Sequence, residues 1–368
     1  MLKPTLFVLS QPHTQVSSSY SRCAYTTKVL HFCQMMVKEG YEVFLLASED
    51  NETSATLLTC ITKKELSKLG FNGPEDYLKN DFDNTKPLWQ IFHQHAIYEI
   101  GKRIKNGDII CTFSGRADLP VSTAFPDAYF VETGVGYSGV CANYRVYESY
   151  SWMHTIYGAL SGDASRADGR FYDTVIPNYF DPNDFPLVEN KKDYFLFVGR
   201  MIHRKGIKII EEMARRMPDT KFIMAGQGGK QEKGKIVCNE CTLVGDNLEY
   251  IGTIDVEQRG KLMSEARALI VPTLYVGPFE GVHVEAMLCG TPVITTDFGV
   301  FTETVTPEVG IRCSIIKDFV QACSDVSKLE PKRIREYAVS RFSMDAVGPM
   351  YTKYLERIKG LERGGFYE

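Results

Sequence analysis

Three cations stand close together in residues 199–206, whose sequence is Gly-Arg-Met-Ile-His-Arg-Lys-Gly. They are Arg200, Arg204 and Lys205, on a turn between a predicted strand and a predicted helix. Arginine binds a phosphate through two parallel hydrogen bonds, and lysine binds it as a compact point charge. We interpret the turn as a phosphate-binding site, and an ordinary solvated basic loop is the alternative.

Residues 277–297 form a second candidate, because their pattern predicts a loop, a short helix, a turn and a strand. The helix covers 282–288, and Gly290 follows its last turn, where a left-handed residue commonly ends a helix. The first amides of a helix are unpaired and carry the positive end of its dipole. The loop that leads to Gly281 can therefore hold a phosphate.

A third candidate is an acid at the carboxyl end of a strand predicted over residues 128–131. Glu132 follows that strand directly and opens the Gly-rich loop 132–137. Open parallel sheets bind ligands at the carboxyl ends of their strands. Glu132 is therefore a candidate catalytic residue, and capping of the turn is the alternative.

The elements that position these residues repeat a strand–helix–strand pattern in both halves of the chain. Such alternation predicts α/β domains in which helices cover a parallel sheet. Residues 171–185 are rich in Pro, Asn and Asp and mark the junction, while residues 49–86 show an irregular, polar pattern. The predicted triplets are 5–10, 25–38 and 41–47 in the first half, and 194–198, 206–217 and 222–225 in the second.

Composition excludes several classes of protein. The 368 residues are 44% apolar and 24% charged with a net charge of −4, which does not suit a nucleic-acid-binding surface. No apolar run reaches the length of a membrane span and no signal peptide is evident, so we predict a cytoplasmic chain without a transmembrane segment. The ten cysteines are mostly scattered, and Cys238 and Cys241 lack the second pair of ligands that structural zinc requires. We predict no metal site.

Several of these residues resemble the retaining glycosyltransferases of group 1 (family 4-like), which have the GT-B fold. The resemblance extends from about 176 to 303. It implies two Rossmann-like, doubly wound α/β domains facing across a cleft. The matching segments are Val-Gly-Arg at 198–200, Lys-Gly at 205–206, Ile-Pro-Asn at 176–178, Tyr-Ile-Gly at 250–252 and Val-Glu-Ala-Met-Leu-Cys-Gly-Thr-Pro-Val-Ile at 284–294.

The resemblance also implies how the chain is divided. We predict an acceptor-binding N-terminal domain over 1–175, a linker over 176–190 and a nucleotide-sugar-binding C-terminal domain over 191–344. Residues 345–368 are predicted to form a helix that crosses back to the N-terminal domain, as in the resembled fold.

The family's functional residues map onto numbered positions of this chain. Arg200 and Lys205 would contact the donor diphosphate, and Glu285 would contact the ribose hydroxyls. The amides of Gly281 and Val282 would bind the distal phosphate. The catalytic candidates are Arg200, Lys205, Glu280 and Glu132, and the donor-binding candidates are Gly199, Gly252, Thr253, Phe279, Gly281, Val282 and Glu285.

The sequence departs from the family in the loop before Glu285. The family has an acid eight positions earlier, where this chain has Gly277, and a glycine where this chain has Glu280. Glu280 either turns to the sugar and replaces the missing acid, or occupies the first turn of the helix, where an acid is favoured by the helix dipole. Glu132 stands where many relatives carry a histidine.

These features predict a retaining, metal-independent glycosyltransferase of glycan biosynthesis. It would move a hexose or pentose from a nucleotide-sugar, such as a UDP- or GDP-sugar, to a saccharide or glycan acceptor, without a further cofactor. A weakly active or inactive nucleotide-sugar-binding protein is one alternative. An epimerase or phosphorylase of the same fold is another.

Overall fold

The computed structural model describes residues 3–21 and 23–361. The chain divides into two compact units. The first contains the described residues within Met1–Glu148, Ile156–Tyr179 and Met344–Glu368, and the second contains Ser149–Thr155 and Phe180–Ser343. The predicted limits had placed Ser149–Thr155 with the N-terminal domain, whereas here this segment groups with the second unit.

The first unit contains a seven-stranded parallel sheet with the strand order β3-β2-β1-β4-β5-β6-β7. Its strands are β1 (Leu6–Leu9), β2 (Val43–Ser48), β3 (Thr56–Ile61), β4 (Ile109–Thr112), β5 (Tyr129–Val135), β6 (Tyr144–Tyr147) and β7 (Thr174–Val175). The helices along this part of the chain are α1 (Ala24–Lys38), α2 (Lys63–Lys68), α3 (Pro87–Gly101), α4 (Leu119–Ala124) and α5 (Tyr150–Ser161).

Residues 49–86 are more regular than their polar pattern predicted, since they contain β3 and α2. The side chain of Thr62 accepts a hydrogen bond from the amide of Glu65, and the Glu65 carboxylate accepts one from the amide of Thr62. This capping box starts α2. The prediction of an irregular segment was wrong here. The buried residues of Thr56–Ile61 do not alternate regularly with exposed ones, so the sequence pattern did not indicate a strand.

The two faces of the first sheet are covered by separate apolar clusters. One cluster joins β1 and β4 to the buried side of α1, through residues such as Phe32 and Met36. The last helix, α12 (Met344–Leu361), belongs to the same cluster. Its Tyr351 ring meets the Phe32 ring edge-on at a centroid distance of 5.2 Å.

The second unit contains a six-stranded parallel sheet with the order β13-β9-β8-β14-β15-β16. Its strands are β8 (Tyr194–Val198), β9 (Lys221–Ala225), β13 (Leu248–Tyr250), β14 (Ala268–Val271), β15 (Val293–Thr296) and β16 (Gly310–Cys313). The helices are α6 (Ile207–Arg216), α7 (Val256–Glu265), α8 (Val282–Leu288), α9 (Phe301–Thr304), α10 (Ile316–Asp325) and α11 (Pro331–Phe342).

A small antiparallel sheet lies between β9 and β13 along the chain. Its strands are β10 (Gly229–Glu232), β11 (Lys235–Cys238) and β12 (Thr242–Val244). Among the helices of residues 3–21 and 23–361, none combines the length and the apolar character that crossing a membrane requires. Within the same residues, no three His, Cys, Asp or Glu side chains are grouped so that they could hold a metal ion.

Candidate functional site

The basic turn lies at the carboxyl end of β8 and includes a 3-10 turn, His203–Lys205. Gly206 ends this turn with a φ of +75°, and a Cβ atom there would lie 1.9 Å from the carbonyl oxygen of Pro272. Only glycine permits so close an approach, because it has no side chain and tolerates positive φ. The amide of Leu274 also donates to the Arg204 carbonyl at 2.8 Å, so the turn is fastened to the segment that follows β14.

This approach places Lys205 against Glu280. Their side chains form an ion pair and are only 15% and 5% exposed, respectively. The ring of Tyr275 lies beside the pair, with the Lys205 Nζ atom 5.2 Å and the Arg204 guanidinium 3.9 Å from its centroid. Burial and the neighbouring Glu280 carboxylate raise the pKa of Tyr275. The structure therefore contains a partly enclosed lysine whose ammonium group already holds an anion.

Glu280 has a backbone conformation that is unusual for a residue with a side chain. Its φ is +59°, which lies in the left-handed region that glycine adopts most readily. Its carboxylate lies over Gly277, where a Cβ atom would come within 2.4 Å of the Glu280 Oε1 atom. The two departures from the family pattern are therefore coupled, because a side chain at 277 and the present placement of Glu280 exclude each other.

His283 fixes the backbone of this loop. Its Nδ1 atom lies 2.7 Å from the Glu280 carbonyl oxygen, and its Nε2 atom lies 2.8 Å from the Thr304 hydroxyl. Burial lowers the pKa of His283 to about 4, so the ring is neutral at pH 7. Since a carbonyl only accepts, Nδ1 carries the proton and Nε2 accepts from Thr304. Sequence inspection gave His283 no role.

The start of α8 presents the backbone that was predicted to bind phosphate. The Gly281 carbonyl accepts from the amides of Val284 and Glu285 at 3.0 and 3.1 Å. Within the described residues, the amides of Gly281 and Val282 donate no hydrogen bond. The side chain of Phe279, by contrast, is buried and stacks on Phe180 at a centroid distance of 6.4 Å. Its side chain contributes to packing, and only its backbone remains at the loop.

Glu285 forms a buried ion pair that the sequence did not reveal. The Arg259 Nη2 atom donates to Glu285 Oε1 at 3.0 Å, and Arg259 Nε lies 2.7 Å from Oε2. Burial raises the pKa of Glu285, and the Arg259 guanidinium opposes this shift. The pair joins α7 to α8. The carboxylate predicted to meet a ribose therefore already has a cationic partner.

The remaining predicted residues of this unit lie on adjacent strand ends. The Gly199 amide donates to the Ala225 carbonyl at 2.9 Å, and the Gly226 amide donates to the Gly252 carbonyl at 2.8 Å. Thr253 and Arg200 are exposed. The Arg200 side chain makes no ion pair with any described residue. Arg200 is thus a cation without an internal partner on the same turn as Lys205.

Glu132 belongs to the first unit, whereas Lys205 and Glu280 belong to the second. Its fully buried carboxylate accepts from the amides of Cys141 and Ala142 and from the Tyr137 hydroxyl, at 3.1 to 3.3 Å. Arg145 Nε lies 3.5 Å away. Burial raises the pKa of Glu132 to about 7. This is the capping arrangement that the sequence left open as the alternative to catalysis.

The site's loop and helix fall within a segment that matches a known family. Residues 181–339 match the family described as Glycosyl transferases group 1. This segment is a group 1 glycosyltransferase domain. The family predicted from the motifs at 198–206 and 284–294 is therefore confirmed.

Curated relatives agree over part of their length. The chain is 30% identical over 128 residues to an uncharacterized glycosyltransferase of Methanocaldococcus jannaschii, covering 33% of this chain and 32% of the relative. It is 25% identical over 231 residues to the 2-deoxystreptamine glucosyltransferase of Streptomyces kanamyceticus, covering 57% and 59%. It is 27% identical over 150 residues to the glycogen synthase of Mycobacterium tuberculosis, covering 38% and 36%. The chain thus spans from about a third to under two thirds of these relatives.

Solved structures resemble the chain over nearly its full length. The sucrose-phosphate synthase of Thermosynechococcus elongatus has a TM-score of 0.67 at 16% identity, covering 97% of this chain and 100% of its own. A glycosyltransferase involved in avilamycin A biosynthesis has a TM-score of 0.64 at 18% identity, covering 97% and 98%. HepE of Anabaena, solved in complex with UDP-glucose, has a TM-score of 0.61 at 14% identity, covering 96% and 100%. These likenesses confirm the predicted GT-B fold class of two Rossmann-like α/β units.

Proposed function

We propose that the chain transfers a sugar from a nucleotide-sugar donor to a saccharide or glycan acceptor, and that Lys205 and Arg200 bind the donor diphosphate. The observation that carries this proposal is the Lys205–Glu280 ion pair at the carboxyl edge of the second sheet. An anionic group already fits against Lys205 there. The complex of HepE with UDP-glucose adds support from a protein of the same fold.

The proposed chemistry follows from where charge develops. Cleavage of the bond between sugar and diphosphate leaves negative charge on the departing phosphate. Fixed cations and backbone amides stabilise such charge as it forms. Lys205, Arg200 and the unpaired amides of Gly281 and Val282 supply these groups. We propose that transfer is metal-independent on this basis.

We further propose that the anomeric configuration is retained. The acceptor hydroxyl attacks the anomeric carbon on the face that the diphosphate leaves. The new glycosidic bond forms as the bond to the diphosphate breaks, and the hydroxyl proton passes to the departing phosphate oxygen. No protein nucleophile takes part in this sequence, which suits a site whose acid, Glu280, is already paired with a lysine.

Glu280 has a second role in this proposal. A diphosphate at Lys205 would replace or share the partner of the ammonium group, which has three protons to donate. The displaced Glu280 carboxylate then accepts hydrogen bonds from hydroxyls of the donor sugar. Its position over Gly277 supports this role, because the family's missing acid would start from that position.

The experiment that tests the proposal is a turnover panel of UDP-, GDP- and ADP-sugars, with mono- and disaccharide acceptors. Lys205→Ala is expected to lower kcat/KM by about 100- to 1,000-fold, the usual effect of removing one group that stabilises developing charge. Lys208→Ala is the matched control, because Lys208 lies three residues away and pairs with Glu211 on the surface. Equal loss in both variants, or none in Lys205→Ala, would reject the assignment.

A donor-binding protein without transferase activity is the second candidate, and the same ion pair favours it. A carboxylate at Lys205 repels a diphosphate. In that case the donor raises the melting temperature of the chain, but neither hydrolysis nor transfer is detected with any acceptor. The turnover panel, combined with a thermal-shift series over the same donors, separates the two candidates.

A further inference from the structure

A cavity of about 250 Å³ opens in the first unit, next to the carboxyl ends of β4 and β5. Pockets for drug-sized ligands are usually about 300 to 1,000 Å³. This cavity is therefore sized for a single ring rather than for an oligosaccharide. The residues that define its chemistry are Tyr25, Phe82, Phe113, Ser114, Arg116 and Tyr137.

Aromatic rings form the apolar part of the wall. The Tyr25 ring lies 6.0 Å from the Phe82 ring and 6.2 Å from the Tyr137 ring, measured between centroids. Phe82 is half-exposed although its neighbours are apolar. The faces of aromatic rings offer an apolar surface. A sugar ring, with apolar C–H faces and hydroxyls at its edge, matches this wall.

A cation stands on the same wall. Arg116 is exposed, and its guanidinium makes no ion pair with any residue that the structure describes. Its amide donates to the Gly139 carbonyl at 2.7 Å. Gly115 has a φ of +55°, and a Cβ atom there would lie 2.3 Å from the same carbonyl oxygen. The backbone of Arg116 is therefore fixed, and its guanidinium is free to bind a carboxylate or a phosphate.

Two residues that contact the cavity wall carry buried polar atoms without partners among the described residues. Gln11 is fully buried, and its amide group donates to the Ser114 hydroxyl at 3.0 Å. Its Oε1 atom has no partner among the described residues, and neither has the Nδ1 atom of His13, whose ring lies 6.2 Å from Phe82. An unpaired buried polar group costs free energy. An acceptor such as Gln11 Oε1 would be satisfied by a ligand hydroxyl or by a water.

Glu132 holds one wall of the cavity in place. Its carboxylate accepts hydrogen bonds from the Tyr137 hydroxyl and from the amides of Cys141 and Ala142. These contacts fix both ends of the loop that carries the Tyr137 ring. Glu132 is thus a positioning residue for the cavity.

We propose that this cavity is the acceptor site and that it binds one sugar ring bearing an anionic group, either a phosphate or a carboxylate. The aromatic wall would hold the ring, and Arg116 would hold the anion. The assignment of this cavity as the acceptor site rests on the transferase function proposed above. The binding of an anionic sugar does not depend on it.

The test is a ligand-observed NMR titration of the full chain with four probes: glucose 6-phosphate, glucuronate, methyl glucoside and inorganic phosphate. We expect at least one anionic sugar to bind at least tenfold more tightly than both methyl glucoside and inorganic phosphate. The probe that binds more tightly distinguishes a phosphate from a carboxylate. Equal affinities for charged and neutral sugars would overturn the proposal, and so would equal affinities for glucose 6-phosphate and inorganic phosphate.

Variants assign the binding to the cavity. Arg116→Gln is expected to reduce the affinity for anionic sugars to the affinity for methyl glucoside. Arg166→Gln, at an exposed arginine paired with Asp163, should leave the affinity for anionic sugars unchanged. Tyr137→Ala should weaken the binding of every sugar, while Tyr137→Phe should retain the contact between the aromatic ring and the sugar. A circular-dichroism melt shows that each variant is folded. An Arg116→Gln variant that binds like the wild type would contradict the proposal.

Lys205→Ala separates this proposal from the donor-site proposal. It should leave the binding of anionic sugars unchanged, because Lys205 is not among the residues that line the cavity. If Lys205→Ala abolishes that binding, the sugar anion is bound by Lys205 and the cavity proposal fails. If no nucleotide-sugar shifts the melting temperature or is turned over, the transferase proposal fails, while the titration still decides the cavity.

Discussion

Glu280 in the second unit and Glu132 in the first unit are both acids in Gly-rich loops, but they have opposite surroundings. Glu280 pairs with a lysine and has a positive φ that its side chain does not favour. Glu132 is fully buried, accepts hydrogen bonds from two backbone amides and has a pKa raised to about 7. In the second unit, the backbone of Glu280 is strained, and this conformation places a carboxylate beside a cation. In the first unit, Glu132 stabilises a loop.

The comparison shows that the role of an acid at a strand or helix end is set by the groups that surround its carboxylate. A strained backbone is kept where the surroundings enforce it, often at a functional site. A carboxylate that accepts several amide hydrogen bonds is a structural element. The two acids should therefore respond differently to mutation, with Glu132 affecting stability and Glu280 affecting activity.

The largest expected effect is on stability in the first unit. Glu132→Ala leaves the amides of Cys141 and Ala142 without an acceptor inside the protein. Each unsatisfied buried donor costs about 1–3 kcal/mol, so we expect the free energy of unfolding to fall by about 3–5 kcal/mol. Urea unfolding measures this. Glu280→Gly should change the same quantity by less than about 1 kcal/mol, because relief of the positive φ offsets the lost ion pair. Similar losses of unfolding free energy in both variants would show that the two acids do not differ in their contribution to stability.

The second effect is a pH dependence of stability. Glu132 has a pKa of about 7 in the folded chain and an ordinary value of 4.5. Between these values the folded state holds a proton that the unfolded state has lost. The contribution of Glu132 to the free energy of unfolding therefore falls as pH rises from about 4.5 to 7, by about 3 kcal/mol, and is level above pH 7.

Urea unfolding at half-unit steps from pH 5 to pH 8 checks this slope in the wild type against Glu132→Gln. Burial lowers the pKa of His13 and of His283 to about 4, so these groups contribute the opposite slope up to about pH 6.5. They act equally in both proteins, and the difference isolates Glu132. A difference that is constant with pH would mean that Glu132 does not titrate in this range.

The smallest expected effect is on activity in the second unit. Glu280→Gly should lower kcat/KM for the donor by about 10- to 100-fold, since it removes one polar contact to the sugar in the transition state. The double variant Gly277→Glu/Glu280→Gly restores the acid spacing of the family and should recover at least half of that loss, expressed as free energy. A double variant no better than Glu280→Gly alone would show that Glu280 does not stand in for the family's acid.

The alternation of strands and helices sufficed to predict both parallel sheets, because each crossover helix buries one apolar face on a buried strand. It missed β3 and α2, although the capping-box pair Thr62 and Glu65 was present in the sequence. It also did not show that the insertion after β9 forms a separate antiparallel sheet. Short strands whose buried residues do not alternate regularly give little periodic signal, so the sequence pattern does not reveal them.

The candidate site was predictable in part. The cations of residues 199–206 and the loop before α8 were identified from local sequence, and Lys205 meets Glu280 because Gly206 packs against Pro272. The Arg259–Glu285 pair was not predictable, since it depends on how α7 approaches α8. The coupling of Glu280 to Gly277 needed a backbone angle that no sequence pattern specifies.

The central claim is that Lys205 is the cation that binds the donor diphosphate. Isothermal titration calorimetry of the full chain with UDP, GDP and ADP tests it most directly, in the wild type, Lys205→Ala and the control Lys208→Ala. We predict that at least one nucleoside diphosphate binds the wild type and Lys208→Ala equally, and binds Lys205→Ala at least tenfold more weakly. Equal affinity in all three proteins, or no binding to the wild type, would contradict the claim.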